Sequence, residues 1–305
     1  MRFEVVENIY QAALKDPKIH FITGDLSHLH AEDFQKNVPE QYLNGGLAEQ
    51  NIVSMAAGLA LSGMKVFVYS IIPFITLRCF EQIKVDVCYH NIDVTIVGVG
   101  GGFSYGPYGG THHSIEDVAI MRSLPNMKVV CPANPTEARV LTRELIRVGG
   151  PAYIRIEKGG EPDPENKYPI ELGKGALIKP GNDITIFSYG SIGNESLRAA
   201  EILDGHGVST EIIHLHTVKP IDQELVANRA RNRKAIFTLE EHNVIGGLGS
   251  AVSEVVSETD GRRAIFRRFG VSDAWPKVIG SQKYLRNELG LSGEKIAEEM
   301  VKLVK

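Results

Sequence analysis

One carboxylate in this sequence stands apart from its surroundings. In GGLAEQNIVSMAAGLAL (45–61), Glu49 opens a helix-length run that is otherwise nearly all apolar. Burial in a low-dielectric helix face raises a glutamate's pKa and lets it exchange a proton near neutral pH, whereas a place at a helix N-terminus stabilises the charged form. Glu49 therefore reads either as a proton-exchanging acid or as a plain first-turn capping acid.

The second informative stretch is GVGGGFSYGPYGGTHHSIEDVAIMR (98–122), where a strand ends, a glycine-rich loop follows and two histidines precede a helix. Loops at the carboxyl ends of parallel strands are where function concentrates. Adjacent histidines point in different directions, so at most one of His112 and His113 faces a cleft. A metal pair on a helix would use i, i+4 spacing, which these lack. The bland alternative is a surface loop in which Thr111 or Ser114 caps the helix. GVGGGF is not a dinucleotide fingerprint: Phe103 stands where the last glycine of G-x-G-x-x-G belongs, and Glu116 and Asp117 open a helix rather than end a strand.

The third stretch, SIIPFITLRCFEQIKVDV (70–87), puts Phe74 just after a strand, with Arg78, Glu81 and Gln82 along the following helix. An aromatic at a strand exit offers a stacking face for a flat ring, or else is ordinary core.

These residues need a scaffold, and the chain supplies an alternation of strand-like and helix-length segments. Strand-like runs fall at 19–23, 65–70, 92–99, 127–132 and 152–157, with amphipathic helices at 48–63 and 135–150, a pattern that predicts a parallel sheet wrapped by helices. The Gly, Pro and charge-rich stretch after residue 157 is a linker signature. A second series follows: strands at 183–190, 209–218 and 234–242, helices at 194–205 and 222–232, and a glycine-opened helix from Gly246. The expected fold class is α/β with two doubly wound domains, at 1–160 and 181–305, joined by a linker at 161–180.

Bulk properties agree. A chain of 305 residues is long for one core. Its 43% hydrophobic and 23% charged residues are those of an ordinary folded protein. A net charge of −4 without a Lys/Arg stripe argues against nucleic acid as a partner. No apolar run reaches the roughly 18 residues of a membrane span, and a cytoplasmic location is the expectation. Cys79, Cys88 and Cys131 form no CxxC pair and read as buried, small hydrophobes.

Taken together, the three stretches resemble the pyrimidine-binding domain of transketolases, through GLAEQN, the F-x-x-x-R-x-x-x-Q start of the helix at Phe74, and G-x-T-H before a helix. The second half resembles the transketolase C-terminal domain, through DITIFSYGS, STEIIHLHTVKPID and LEEHNVIGGLGSAV. The fold implied is a thiamine-diphosphate-binding (pyrimidine) domain followed by a C-terminal-like domain. The resemblance implies thiamine diphosphate as cofactor, with Glu49 at the N1′ nitrogen of its aminopyrimidine, Phe74 stacked on that ring, and Arg78, Gln82 and Asp25 as further cofactor contacts. His112 would face the reacting carbonyl and help in proton transfer.

The pattern also departs from the family. Gly100 stands where a second histidine touches the donor sugar, Tyr108 where an aspartate reads a donor hydroxyl, and Lys158 roughly where an arginine holds the substrate phosphate. Unmatched buried polar groups discriminate strongly, so these changes imply an altered donor or acceptor. The family's GDG motif is missing, Gly24-Asp25-Leu26 being no match. The diphosphate and its Mg²⁺ or Ca²⁺ would then be held mainly by a separate N-terminal subunit, two copies of each chain forming the enzyme, with no metal ligands here. This chain alone is expected to self-associate as a dimer. The implied activity is transfer of a two-carbon ketol unit between sugar substrates. Two other readings stand: the beta subunit of a 2-oxo acid dehydrogenase decarboxylase or a pyruvate/aldehyde-condensing synthase, and a non-catalytic scaffold or regulatory subunit.

Overall fold

A computed structural model describes residues 1–25, 31–164, 167–261 and 263–304. The first half carries strands β1 (Ile19–Thr23), β2 (Tyr42–Asn44), β3 (Lys65–Ile71), β4 (Val94–Val99), β5 (Lys128–Val130) and β6 (Ala152–Ile156). Its helices are α1 (Arg2–Ala13), α2 (Ala31–Asn37), α3 (Glu49–Leu61), the short α4 (Ile72–Ile75) and α5 (Phe80–Gln82), α6 (Asp117–Ser123) and α7 (Pro135–Val148). The second half carries strands β7 (Ala176–Lys179), β8 (Ile184–Ser188), β9 (Thr210–His214), β10 (Thr217–Lys219), β11 (Ala235–Asn243) and β12 (Ile265–Val271). Helices α8 (Gly193–Gly205), α9 (Gln223–Asn232), α10 (Leu248–Glu258), α11 (Gln282–Glu288) and α12 (Gly293–Val304) surround them.

Two sheets result. The first runs β10-β5-β6-β4-β3-β1-β2 and the second β12-β11-β8-β9-β7. All pairings are parallel except those of β10 with β5 and β7 with β9. The fold is therefore the expected pair of α/β units, with two differences. Residues 176–179, inside the stretch read as linker, form an antiparallel edge strand. The run read as one strand at 209–218 breaks after His214, and its continuation crosses to the first sheet as β10. An edge position needs only one partner, so neither strand carries the long apolar run that marks a central one.

Every residue of β4, β8 and β9 is buried, as expected of parallel strands covered on both faces. Along β3 the side chains alternate: Val66 and Val68 pack towards α3, Phe67 and Tyr69 towards α1. That alternation sends Ser70 to the α3 face, beside Glu49. The α3-side cluster continues into Ile213, Leu215 and Leu248 of the second unit, so the two units share apolar core. Among the described residues, no helix is long and apolar enough to cross a membrane.

Candidate active site

Glu49 is the first residue of α3 and is 3% exposed. Its Oε2 accepts from Nη1 of Arg78 at 2.8 Å, and among the described residues its Oε1 has only Ser70 Oγ at 3.5 Å. The Arg78 guanidinium also lies 4.8 Å over the Phe74 ring. Phe74 in turn meets His112 edge to face, the centroids 5.3 Å apart at 74°. His112 packs on Tyr108 at 5.0 Å and Tyr105 at 6.0 Å, and Lys158 Nζ sits 5.5 Å from the Tyr105 ring centre. Contacts thus run without a break from Glu49 to Lys158, through residues from four separated stretches of sequence. The cluster is an open surface: the Arg78 side chain is half exposed and Tyr108 is 62% exposed.

The two histidines divide as expected. His113 is buried, its Nε2 donating to the Gly106 carbonyl at 3.0 Å and its ring edge-on to Phe103. His112 faces the cluster, with Thr111 Oγ1 2.9 Å from its Nδ1. Burial, and then the neighbouring His113, lower its pKa from the ordinary imidazole value. His242 lies elsewhere: its Nε2 accepts from the Ala119 amide at 3.3 Å and its Nδ1 donates to the Asn243 carbonyl at 2.7 Å, tying the units together.

Asp25 stands exposed beyond β1, 3.4 Å from the Asn44 amide nitrogen. It hydrogen-bonds neither Glu49 nor Arg78, so the structure does not join it to the cluster. Gln82 ends α5, which packs against α3; its Oε1 is buried with no hydrogen-bond partner among the described residues. Burial raises the thiols of Cys79 to about 12 and Cys88 to about 11, and raises that of Cys131, which leaves all three unreactive.

The glycine run between β4 and the histidines has a packing reason. A β-carbon at Gly101 would lie 2.7 Å from Nη1 of Arg155, and one at Gly102 would overlap Oε1 of Glu241. The loop therefore rests directly on a buried charge network. Arg155 donates to Asp117 Oδ2 at 2.9 Å and to the carbonyls of Ser114 and Glu241, both at 3.1 Å. Glu241 pairs with Arg286, and Glu157 accepts from Ser104. Sequence reasoning missed this network, although charged residues inside the strand-like runs AYIRIE and KAIFTLEEH were its visible sign.

A cleft of about 420 Å³ lies at the other junction of the two units, lined by Asn134, Tyr168, Gly193 and His214. No residue of the Glu49–Lys158 cluster lines it.

Comparison with known proteins gives the family of this fold. Residues 4–161 match the transketolase pyrimidine-binding domain and residues 173–296 the transketolase C-terminal domain. A putative transketolase C-terminal section from Methanocaldococcus jannaschii is 35% identical over 309 residues, covering 100% of this chain and 96% of that protein. One of the subunits of the apulose-4-phosphate transketolase from Phocaeicola vulgatus is 33% identical over 307 residues, covering 100% and 97%. Among solved structures, a split-gene transketolase described as an inactive beta4 tetramer superposes with a TM-score of 0.89 at 33% identity, covering 100% of this chain and 99% of that one. The chain belongs to the transketolase family and comprises its pyrimidine-binding and C-terminal domains.

That family is one of thiamine-diphosphate-dependent transferases, and the residues present fit the aminopyrimidine end of such a cofactor. Glu49 offers a weakly engaged carboxylate oxygen, Phe74 a ring face, and Gln82 an acceptor without a partner among the described residues. For a divalent ion the donor set is different: among the described residues no group of three His, Cys, Asp or Glu side chains is gathered to hold one.

Proposed function

We propose that this chain is the C-terminal subunit of a two-chain transketolase that moves a two-carbon ketol unit between sugar substrates in specialised sugar metabolism. The observation that carries this reading is the continuous contact from buried Glu49 through Arg78 and Phe74 to His112. Thiamine diphosphate, when bound, would supply a carbon nucleophile. Glu49 holds and exchanges a proton through Oε1, since Oε2 is committed to Arg78. Phe74 would offer its ring face to the aminopyrimidine. His112, neutral at pH 7, takes and returns a proton at the sugar oxygens. Gly100, Tyr108 and Lys158 line the substrate side.

The openness of the cluster supports a second protein that covers it. That partner would be a separate N-terminal subunit carrying the diphosphate-binding domain and its Mg²⁺, two copies of each chain making the enzyme.

Calorimetric titration of thiamine diphosphate and Mg²⁺ into this chain, alone and mixed with the partner, tests the division of labour. Tight binding only in the mixture is expected; tight binding to the chain alone would overturn it. With ketose donors, Glu49→Gln should lower turnover by a hundredfold or more, on the order of 3 kcal/mol of barrier. Unchanged turnover would instead support a scaffold subunit, and CO₂ release from a 2-oxo acid without ketol transfer would support a condensing synthase.

A further inference from the structure

Directly after β4, Gly100 has a φ of +100°, a conformation that side-chain-bearing residues rarely adopt. A β-carbon there would also overlap Cδ2 and Cε2 of Tyr105. Backbone and space therefore agree that position 100 is bare and that the phenol ring of Tyr105 lies across it. The floor is fixed, because the amides of Gly100 and Gly101 donate to the Ile156 carbonyl at 2.8 and 3.1 Å.

Tyr105 is half-buried and sits among groups that all bear on the cluster. Its ring meets His112 and Tyr108, each at 6.0 Å. Lys158 Nζ lies 5.5 Å from its centre, within cation–π range. Arg2, at the start of α1, interacts with the hydroxyls of both Tyr105 and Tyr69. Burial raises the Tyr105 hydroxyl above its ordinary value despite that cation, so it remains a neutral donor at pH 7. A phenol O–H on a ring that an ammonium approaches, with a guanidinium nearby, offers donors suited to an oxyanion.

Resting on the transketolase reading above, we propose that Tyr105, its ring against Gly100 and within reach of Lys158, is a specificity-determining residue whose hydroxyl hydrogen-bonds the terminal phosphate of a sugar whose carbonyl end lies against His112. The bare glycine at 100 makes room for this arrangement, so the substrate is read by a side chain five residues further along.

The test is calorimetric titration of a ketopentose 5-phosphate, and of the same ketopentose without phosphate, into the cofactor-loaded two-chain complex. Tyr105→Phe, which keeps the ring and its packing, should weaken the phosphorylated sugar about tenfold. Binding of the unphosphorylated sugar and of thiamine diphosphate should change less than about twofold, within the reach of packing alone. In steady-state assays the same variant should raise KM for the phosphorylated sugar with kcat nearly unchanged. Equal weakening of both sugars, or none, overturns the proposal. So does a wild-type complex that holds the phosphorylated sugar no tighter than the plain one. A complex that discriminates the sugars as expected yet forms no ketol product supports Tyr105 and overturns the transketolase reading.

Discussion

Arg78 makes two contacts at once, donating to Glu49 Oε2 at 2.8 Å while its guanidinium lies 4.8 Å over the Phe74 ring. A planar cation thus bridges the acid and the aromatic face, the same two features that a flat, hydrogen-bonding ring would use. The pairing keeps a nearly buried carboxylate compensated.

Arg78→Ala should separate these roles. It clears the face of Phe74, so binding of thiamine diphosphate to the two-chain complex is expected to stay within about threefold, less than 1 kcal/mol. It also leaves the nearly buried Glu49 without its cation, which should lower turnover about tenfold. Arg78→Lys restores charge without the planar stack and should recover part of the rate. Turnover at the wild-type level in Arg78→Ala would show that Glu49 does not depend on this partner.

His112 carries a pH prediction of its own. Burial and His113 lower its pKa, so the neutral imidazole persists to more acidic pH than a free histidine allows. Activity should therefore hold through neutrality and fall only as the pH drops below the ordinary value of about 6.5. His112→Asn is expected to reduce kcat on the order of a hundredfold and to abolish that limb, with cofactor affinity preserved. A limb that persists unchanged in the variant belongs to another group.

The three motif stretches were legible because each pairs an unusual residue with a sharp local pattern: an acid opening an apolar helix, an aromatic after a strand, histidines after a glycine run. Their juxtaposition was legible only through the family resemblance, since no spacing along the chain says that Phe74 touches His112. Ser70 could have been found by strand alternation, as the polar member of the row Val66, Val68, Ser70. The edge strands at 176–179 and 217–219 are too short for a period to register. Gly100, Gly101 and Gly102 read only as a glycine-rich loop, whereas each is bare because Tyr105, Arg155 or Glu241 occupies the space beside it. Long-range packing of that kind leaves only a composition signal in the sequence.

The charge network under that loop should dominate the stability of the junction. Arg155 is 2% exposed and serves Asp117 together with two carbonyls from different units. Burial opposes its charge, but Asp117, Tyr189 and Glu157 outweigh that effect and hold it protonated. Arg155→Leu removes the cation and leaves Asp117 and Glu157 buried without it, which should destabilise the chain by about 3–5 kcal/mol. Denaturant unfolding at pH 7 would read this as a lower midpoint. A loss below about 1 kcal/mol would mean that solvent enters the junction freely.

At the opposite junction the decisive residue is Glu137, fully buried on α7. Its Oε1 accepts from Tyr168 at 2.7 Å and lies 2.9 Å from Nδ1 of His214, while its Oε2 accepts from the Ala133 amide at 2.7 Å. One carboxylate therefore joins the first unit, the connecting segment and the end of β9. Burial pushes its pKa up, but the charge and hydrogen bond of His214, helped by His216 and Tyr168, hold it down at about 2 against an ordinary 4.5. Because the folded value is depressed, the stabilisation is fully present above about pH 4.5 and is lost as the pH falls towards 2, with a magnitude on the order of 3 kcal/mol. Glu137→Gln should remove that contribution at pH 7 and flatten the decline in stability over the same acid window. Urea unfolding of both proteins from pH 7 to pH 3 makes the comparison. Parallel curves, offset by a constant amount, would show that Glu137 is merely packed and that other acids govern the junction's response to pH.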